Sequence, residues 1–237
     1  MLINMKQVTK KFKHQLVLDH LDLTIAAGEI VGLIGPNAAG KSTTLHVMSG
    51  LIQPDSGQIL IEEKPAATQK HLIGFVPQEI ALYQDLSVRD NLIFFSGLYG
   101  LSAKTSALKI NEILSHLDMD ALKKKKVKHL SGGMKRRLNI GVELLKDPTI
   151  MMLDEATVGI DSQTRTSFFS LIQKMNQNGI TVILTSHHLP ELEQLCSYFY
   201  FLKEGRIVLS GSKSDLLTQD NQTINLSSLY QELYLDS

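Results

Sequence analysis

Three stretches of the chain bring together residue types that handle phosphate. The first, GPNAAGKST, runs from Gly35 to Thr43 and fits the spacing G-x-x-x-x-G-K-[ST]. Its end glycines, Gly35 and Gly40, allow a tight backbone path around Pro36, Asn37, Ala38 and Ala39. Loop N–H groups at a helix start then surround phosphate oxygens. Lys41 adds a point charge near the β- and γ-phosphates, the Ser42 hydroxyl is a hard oxygen ligand for Mg²⁺, and Thr43 follows on the helix. The second stretch, TIMMLDEA, ends an apolar run with Asp154 and Glu155. Ligands bind at the carboxyl ends of strands in open α/β sheets. There Asp154 can hold Mg²⁺ through water, and Glu155 is a candidate general base for an attacking water. Alone, such a pair also fits a solvated strand end; the phosphate loop upstream favours the chemical reading. The third stretch is HLSGGMKRRLNI. Ser131, Gly132 and Gly133 open a helical run and offer a hydroxyl, free N–H groups and a positive dipole end. That is half of a phosphate clamp, in a chain that already holds a complete phosphate loop.

These residues need strands and helices to hold them. IVGLIG is a short, continuously apolar run, as expected for a strand buried on both faces, and it leads straight into the phosphate loop. A helix of about ten residues, ending at Gly50, follows. Before it, Leu2 to Thr9 and LDLTIAAGE alternate as strands; after it, SGQILIEEK reads as a strand or hairpin. From about residue 86 to 146 the apolar spacing becomes helical, which predicts a helical insertion. TIMMLDEA and GITVILTSHH are two more buried strands flanking the helix SQTRTSFFSLIQKMNQNG, and YFYFLKEGRIVLSG closes as a hairpin turning at Glu204-Gly205. Residues 213–237 form a weakly patterned tail after a domain spanning 1–212. The strand and helix order predicts an α/β fold with a mainly parallel sheet.

Bulk composition narrows the classes. The 237 residues carry 24 Lys+Arg and 24 Asp+Glu, so the net charge of zero argues against a nucleic-acid partner. A single cysteine, Cys196, excludes an intramolecular disulfide and fits a reducing compartment; it reads as a buried small hydrophobe. No apolar run approaches the roughly 18–20 residues that span a bilayer, so a cytoplasmic location is expected and any membrane-spanning part must come from another chain. Met151-Met152 reads as core filling. KKKKVK, Lys123 to Lys128, reads as a solvated turn, and Lys135, Arg136 and Arg137 as exposed faces of the helix after the two glycines.

Taken in order, GPNAAGKST, Gln78 in IGFVPQE, LSGGMKRR, IMMLDEATVGID and ILTSHH resemble the ATP-binding-cassette (ABC) family over roughly residues 2 to 212. The phosphate loop alone would say only nucleotide-binding; LSGG shortly before the acid pair is far more specific. The resemblance implies a P-loop NTPase core with an N-terminal antiparallel β subdomain and the helical insertion. It implies ATP as substrate with Mg²⁺. Phe12 would stack on adenine, and Gln78 would sense Mg²⁺ and the γ-phosphate. Asp161 would lie in a subunit-contact loop, a role compatible with capping the next helix. His187 would contact the γ-phosphate. Adjacent strand-end side chains point opposite ways, so His187 and His188 should not both face the nucleotide, and His188 reads as a surface residue.

The resemblance also says whose phosphate Ser131, Gly132 and Gly133 would meet: that of ATP on a second ATPase subunit, a copy of this chain or a related one, packed head to tail. It implies a separate membrane-spanning permease, with this chain peripheral on the inner face of the cell membrane and the helical insertion as its docking surface. Met134 and TVGID look most like drug- or antibiotic-exporter subunits, whereas import systems more often read SGGQ. A soluble ABC-type ATPase and a non-hydrolysing scaffold are the alternatives; the single cassette and the intact Glu155 disfavour them respectively. Two departures stand out. Ala38 takes a place where the family often has glycine, so a positive φ there would be costly, and Ala156 stands where proline is common.

Overall fold

A computed structural model describes residues 1–156, 162–219 and 222–235; within these, the side chains of 162–164, 219 and 222–223 are left aside. The chain opens with β1 (Ile3–Phe12) and β2 (Gln15–Ile25), an antiparallel pair. Next comes β3 (Ile30–Ile34), which feeds the phosphate loop and α1 (Lys41–Met48). β4 (Ser56–Ile61) and β5 (Lys64–Pro65) extend the first pair into an antiparallel sheet of order β2-β1-β4-β5. The N-terminal β subdomain is therefore as expected, with β1 running on past Thr9 to Phe12.

β6 (Ile73–Val76) returns the chain to the second sheet. It then leaves for the helical insertion: α2 (Val88–Leu98), α3 (Ala103–His116) and α4 (Gly132–Leu144). β7 (Ile150–Leu153), α5 (Ser162–Gln177), β8 (Thr181–Thr185), α6 (Leu189–Leu195), β9 (Tyr198–Lys203) and β10 (Arg206–Ser212) complete the core. The tail adds α7 (Lys213–Leu216) and α8 (Leu226–Tyr234). The second sheet runs β10-β9-β3-β8-β7-β6, parallel throughout except for the β9–β10 hairpin.

The central strands are buried on both faces, and their alternation divides the interior into two cores. Ile30, Ile34, Met151, Leu153, Val182 and Leu184 face the helical side, together with α4 and α5. Val31, Leu33, Ile150, Met152 and Ile183 face α1 and the antiparallel sheet. Leu153 pairs with Leu184, and Leu33 with Thr185. That register brings the phosphate loop, the acid pair and the residues after β8 out together at the carboxyl ends of three adjacent strands. β6 is the one parallel strand the pattern did not single out; unlike the equally short β7, its apolar run is broken by Gly74. Leu217, Leu226 and Leu229 of the tail join the helical-side core. No helix among the described residues is long and apolar enough to cross a membrane.

Candidate functional site

The phosphate loop is held from beneath and across. Gly35 lies so close to β9 that a Cβ there would come within 2.3 Å of the Leu202 carbonyl oxygen, so no side chain fits. Gly40 takes φ 107° and its carbonyl accepts from Thr44 N–H at 2.8 Å and Thr44 Oγ1 at 2.9 Å, which starts α1. Ala38 does adopt a positive φ, 63°, the costly geometry expected of an alanine there. The buried Lys41 curls back over the loop: Nζ donates to the Gly35 carbonyl at 2.8 Å and to Pro36 at 2.9 Å. Burial lowers its pKa, opposed by the charges of Glu155 and Asp154. A cleft of about 220 Å³ opens over Asn37, Ala38, Gly40, Lys41, Ser42 and Thr43, with Gln15 and Val17 of β2 on one side and Glu155 on the other.

The acid pair follows β7. Asp154 is 5% exposed, and its Oδ1 accepts from the Thr185 hydroxyl at 2.7 Å. The same hydroxyl accepts from Glu155 N–H at 2.9 Å. Thr185, at the end of β8, thus fixes both acids; its signal in the sequence was a hydroxyl at a strand end beside them. Glu155 sits at φ 47°, and its Oε1 lies 2.6 Å from His187 Nε2. His188 points elsewhere: its Nδ1 is 3.5 Å from Glu191 Oε1. The alternation at the strand end therefore separates the two histidines, and His187 is the one beside Glu155.

The other candidates lie outside this cleft. Phe12 ends β1, 44% exposed, with the Lys10 ammonium 5.6 Å from its ring centre; its cross-strand partner Gln15 lines the cleft instead. Gln15 and Val17 carry no motif and were not singled out. Gln78 is exposed just beyond β6. Ser131 caps α4, accepting from Met134 N–H at 3.3 Å, and Ser131 and Gly132 face solvent while Gly133 is buried. Asp161 lies outside the described residues.

The expectation that Lys135, Arg136 and Arg137 face solvent is wrong. Arg136 is 4% exposed and donates from Nη1 to Pro77 O at 2.7 Å and from Nη2 to Gln78 O at 2.6 Å. Burial lowers its pKa, opposed by the charge of Asp154. Lys135 and Arg137 are half-buried; Arg137 reaches Leu117 O at 3.2 Å and hydrogen-bonds Ser167. The lysine run behaves as expected, with Lys123 to Lys126 and Lys128 exposed and Val127 buried as their anchor. Cys196 is buried, and burial pushes its thiol pKa up.

Comparison with known proteins agrees with this arrangement. Residues 18–158 match the family described as ABC transporter. The chain is 37% identical over 222 residues to the linearmycin resistance ATP-binding protein LnrL of Bacillus subtilis, covering 92% of this chain and 71% of that one. It is 36% identical over 222 residues to the Nod factor export ATP-binding protein I of Burkholderia lata, covering 92% and 73%. Its fold superposes on the ATP-binding cassette MJ0796, a dimer in a post-hydrolysis state with ADP and Pi, with a TM-score of 0.78, 27% identity, and coverage of 89% and 98%. The chain therefore belongs to the ABC transporter family and is one of its ATP-hydrolysing cassettes.

Proposed function

We propose that this cassette is the ATPase subunit of an exporter, working as a head-to-tail pair of cassettes that drives a separate membrane-spanning partner. The observation that carries the reading is an exposed apolar patch on the helical insertion. Tyr83, Ile93, Phe94 and Leu98 are 49%, 47%, 38% and 63% exposed, and the Tyr83 and Phe94 rings meet at 4.6 Å. A soluble surface seldom keeps aromatics and aliphatics together without a partner to cover them. The Nod factor export name of one relative supports export, and a membrane-spanning partner would hold the cassette at the inner face of the membrane.

Chemistry is assigned by position. The loop N–H groups, Lys41, Ser42 and Thr43 hold the phosphates. Lys41 exchanges its carbonyl partners for phosphate oxygens. Glu155, oriented by its backbone bond to Thr185 and by His187, takes a proton from the attacking water. His187 then meets the γ-phosphate edge, and Phe12 with Gln15 and Val17 lies on the base side. The residues present suit Mg²⁺: the Ser42 hydroxyl is exposed in the cleft and the Asp154 carboxylate is fixed by Thr185. Together with Gln78 they would hold the ion, which supplies charge neutralisation on the phosphates. The cleft has no residue of α4 in its lining, so the exposed Ser131 and Gly132, with Gly133 buried behind them, would close the site of a second cassette. The dimeric MJ0796 cassette supports that pairing.

The test is affinity purification of the tagged chain from detergent-solubilised membranes. A polytopic membrane protein should co-purify, and Phe94→Asp with Leu98→Asp should lose it while ATP hydrolysis by the free cassette persists. Equal recovery of the membrane protein with the double variant, or no membrane protein at all, sinks the reading.

A further inference from the structure

The tail after Ser212 carries no motif, yet α8 is anchored to the nucleotide-binding core. Asn225 caps the helix, its Oδ1 accepting from Ser228 N–H at 2.8 Å. Leu226 N–H donates to Glu193 Oε2 at 2.7 Å, and Leu226 and Leu229 are buried. The last turn then reaches β9. The ring of Tyr234 lies beside Phe201, with centroids 6.5 Å apart, and against Tyr230 at 4.6 Å. Its hydroxyl donates to the Leu202 carbonyl at 3.1 Å and stands 3.5 Å from the Ile34 carbonyl.

Both carbonyls belong to the footing of the phosphate loop. Ile34 is the residue before Gly35. The Leu202 carbonyl is the atom on which Gly35 rests, closely enough to exclude a Cβ. The turn after β9 grips the other end of the loop, where Gly205 N–H donates to Ala39 O at 3.0 Å. The Gly35 carbonyl in turn holds Lys41 Nζ at 2.8 Å. One hydroxyl therefore sits under a chain of contacts that ends at the phosphate-binding ammonium. Burial, with Tyr230 alongside, pushes the Tyr234 pKa up, so the group stays protonated and remains a donor.

We propose that Tyr234 is a positioning residue for ATP binding: its hydroxyl pins the Leu202 carbonyl beneath Gly35, and through Gly35 it sets the height of the phosphate loop and the reach of Lys41. It touches neither ATP nor the reacting atoms. The inference rests on the phosphate-loop assignment, and Lys41→Ala, assayed in parallel, separates failure of that assignment from failure of this one.

Tyr234→Phe in the full chain removes the hydroxyl and keeps the ring. Titration with a fluorescent ATP analogue should show the Kd rising about fivefold, the equivalent of ~1 kcal/mol for one hydrogen bond. The KM for ATP should rise with it and kcat should stay level. The melting temperature without nucleotide should fall by no more than about 3 °C. Tyr230→Phe, whose ring packs on Tyr234 but whose hydroxyl is not at those carbonyls, should leave the Kd unchanged. Amide exchange over residues 35–42 should quicken in Tyr234→Phe alone. A Kd within twofold of the parent overturns the proposal. So does an equal rise in Tyr230→Phe, or a large melting loss with unchanged exchange in the loop, because each would make the contact ordinary packing.

Discussion

Ala38→Gly should stabilise this protein, although it removes a side chain from the phosphate loop. Ala38 is held at φ 63°. Left-handed backbone costs an L-residue about 1–2 kcal/mol, and glycine is free of that cost. Against this, glycine loses more unfolded-state entropy on folding, about 0.4–1 kcal/mol. The Ala38 methyl is exposed, so little apolar burial is lost with it. The balance is about 0.8 kcal/mol in favour of glycine, or roughly 2–3 °C in melting temperature for a chain of this size. The neighbouring alanine supplies the control. Ala39 is 3% exposed and does not have a positive φ. Ala39→Gly meets the same entropy cost with no strain to relieve and with a buried methyl lost, so it should destabilise by about 1–2 kcal/mol. Thermal unfolding of the nucleotide-free protein, followed by circular dichroism, reads both. Opposite signs at adjacent positions are required. A lower melting temperature for Ala38→Gly, or equal shifts for the two variants, would refute the strain argument.

Two further outcomes follow from the site. Glu155→Gln should bind ATP, stall hydrolysis and run as an ATP-dependent dimer on size exclusion, whereas adding Gly132→Asp should keep ATP binding and return it to monomer; a dimer that survives the aspartate removes the signature turn from the interface. Arg136→Met strips two charge-assisted hydrogen bonds from the Pro77 and Gln78 carbonyls and should cost about 3 kcal/mol, or roughly 6–12 °C of melting temperature, measurable by differential scanning calorimetry; a loss under about 1 kcal/mol would show those carbonyls are satisfied without it.

What the sequence disclosed and what it hid divide along one physical line. The phosphate loop was legible because its spacing is local: Lys41 bonds carbonyls five and six residues away, and Gly40 takes the positive φ that starts α1. That the two histidines point apart, His187 to Glu155 and His188 to Glu191, was legible because alternation at a strand end needs no tertiary knowledge. The helical insertion was legible from its period. Arg136 was misread because a charged side chain was equated with an exposed one. Its position argued otherwise, three residues after the buried Gly133 and four before the buried Ile140, on one stripe of α4. What makes a buried guanidinium tolerable there is a pair of carbonyls 59 and 58 residues distant, and no local pattern announces those. The tail was passed over for a similar reason. Leu226, Leu229, Tyr230 and Leu233 keep helical spacing, but nine residues are too short to stand as a helix in water without the core they bury into. The misread arginine and the passed-over tail share a structural role. Arg136 fastens the helix that begins at the signature turn to the backbone of Gln78, and Tyr234 fastens the last helix to the carbonyl beneath Gly35. Motifs name the groups that meet a ligand, because those groups are few and their spacing is fixed by it. The groups that hold a motif in place need only reach a backbone oxygen, and almost any stretch of chain can supply one.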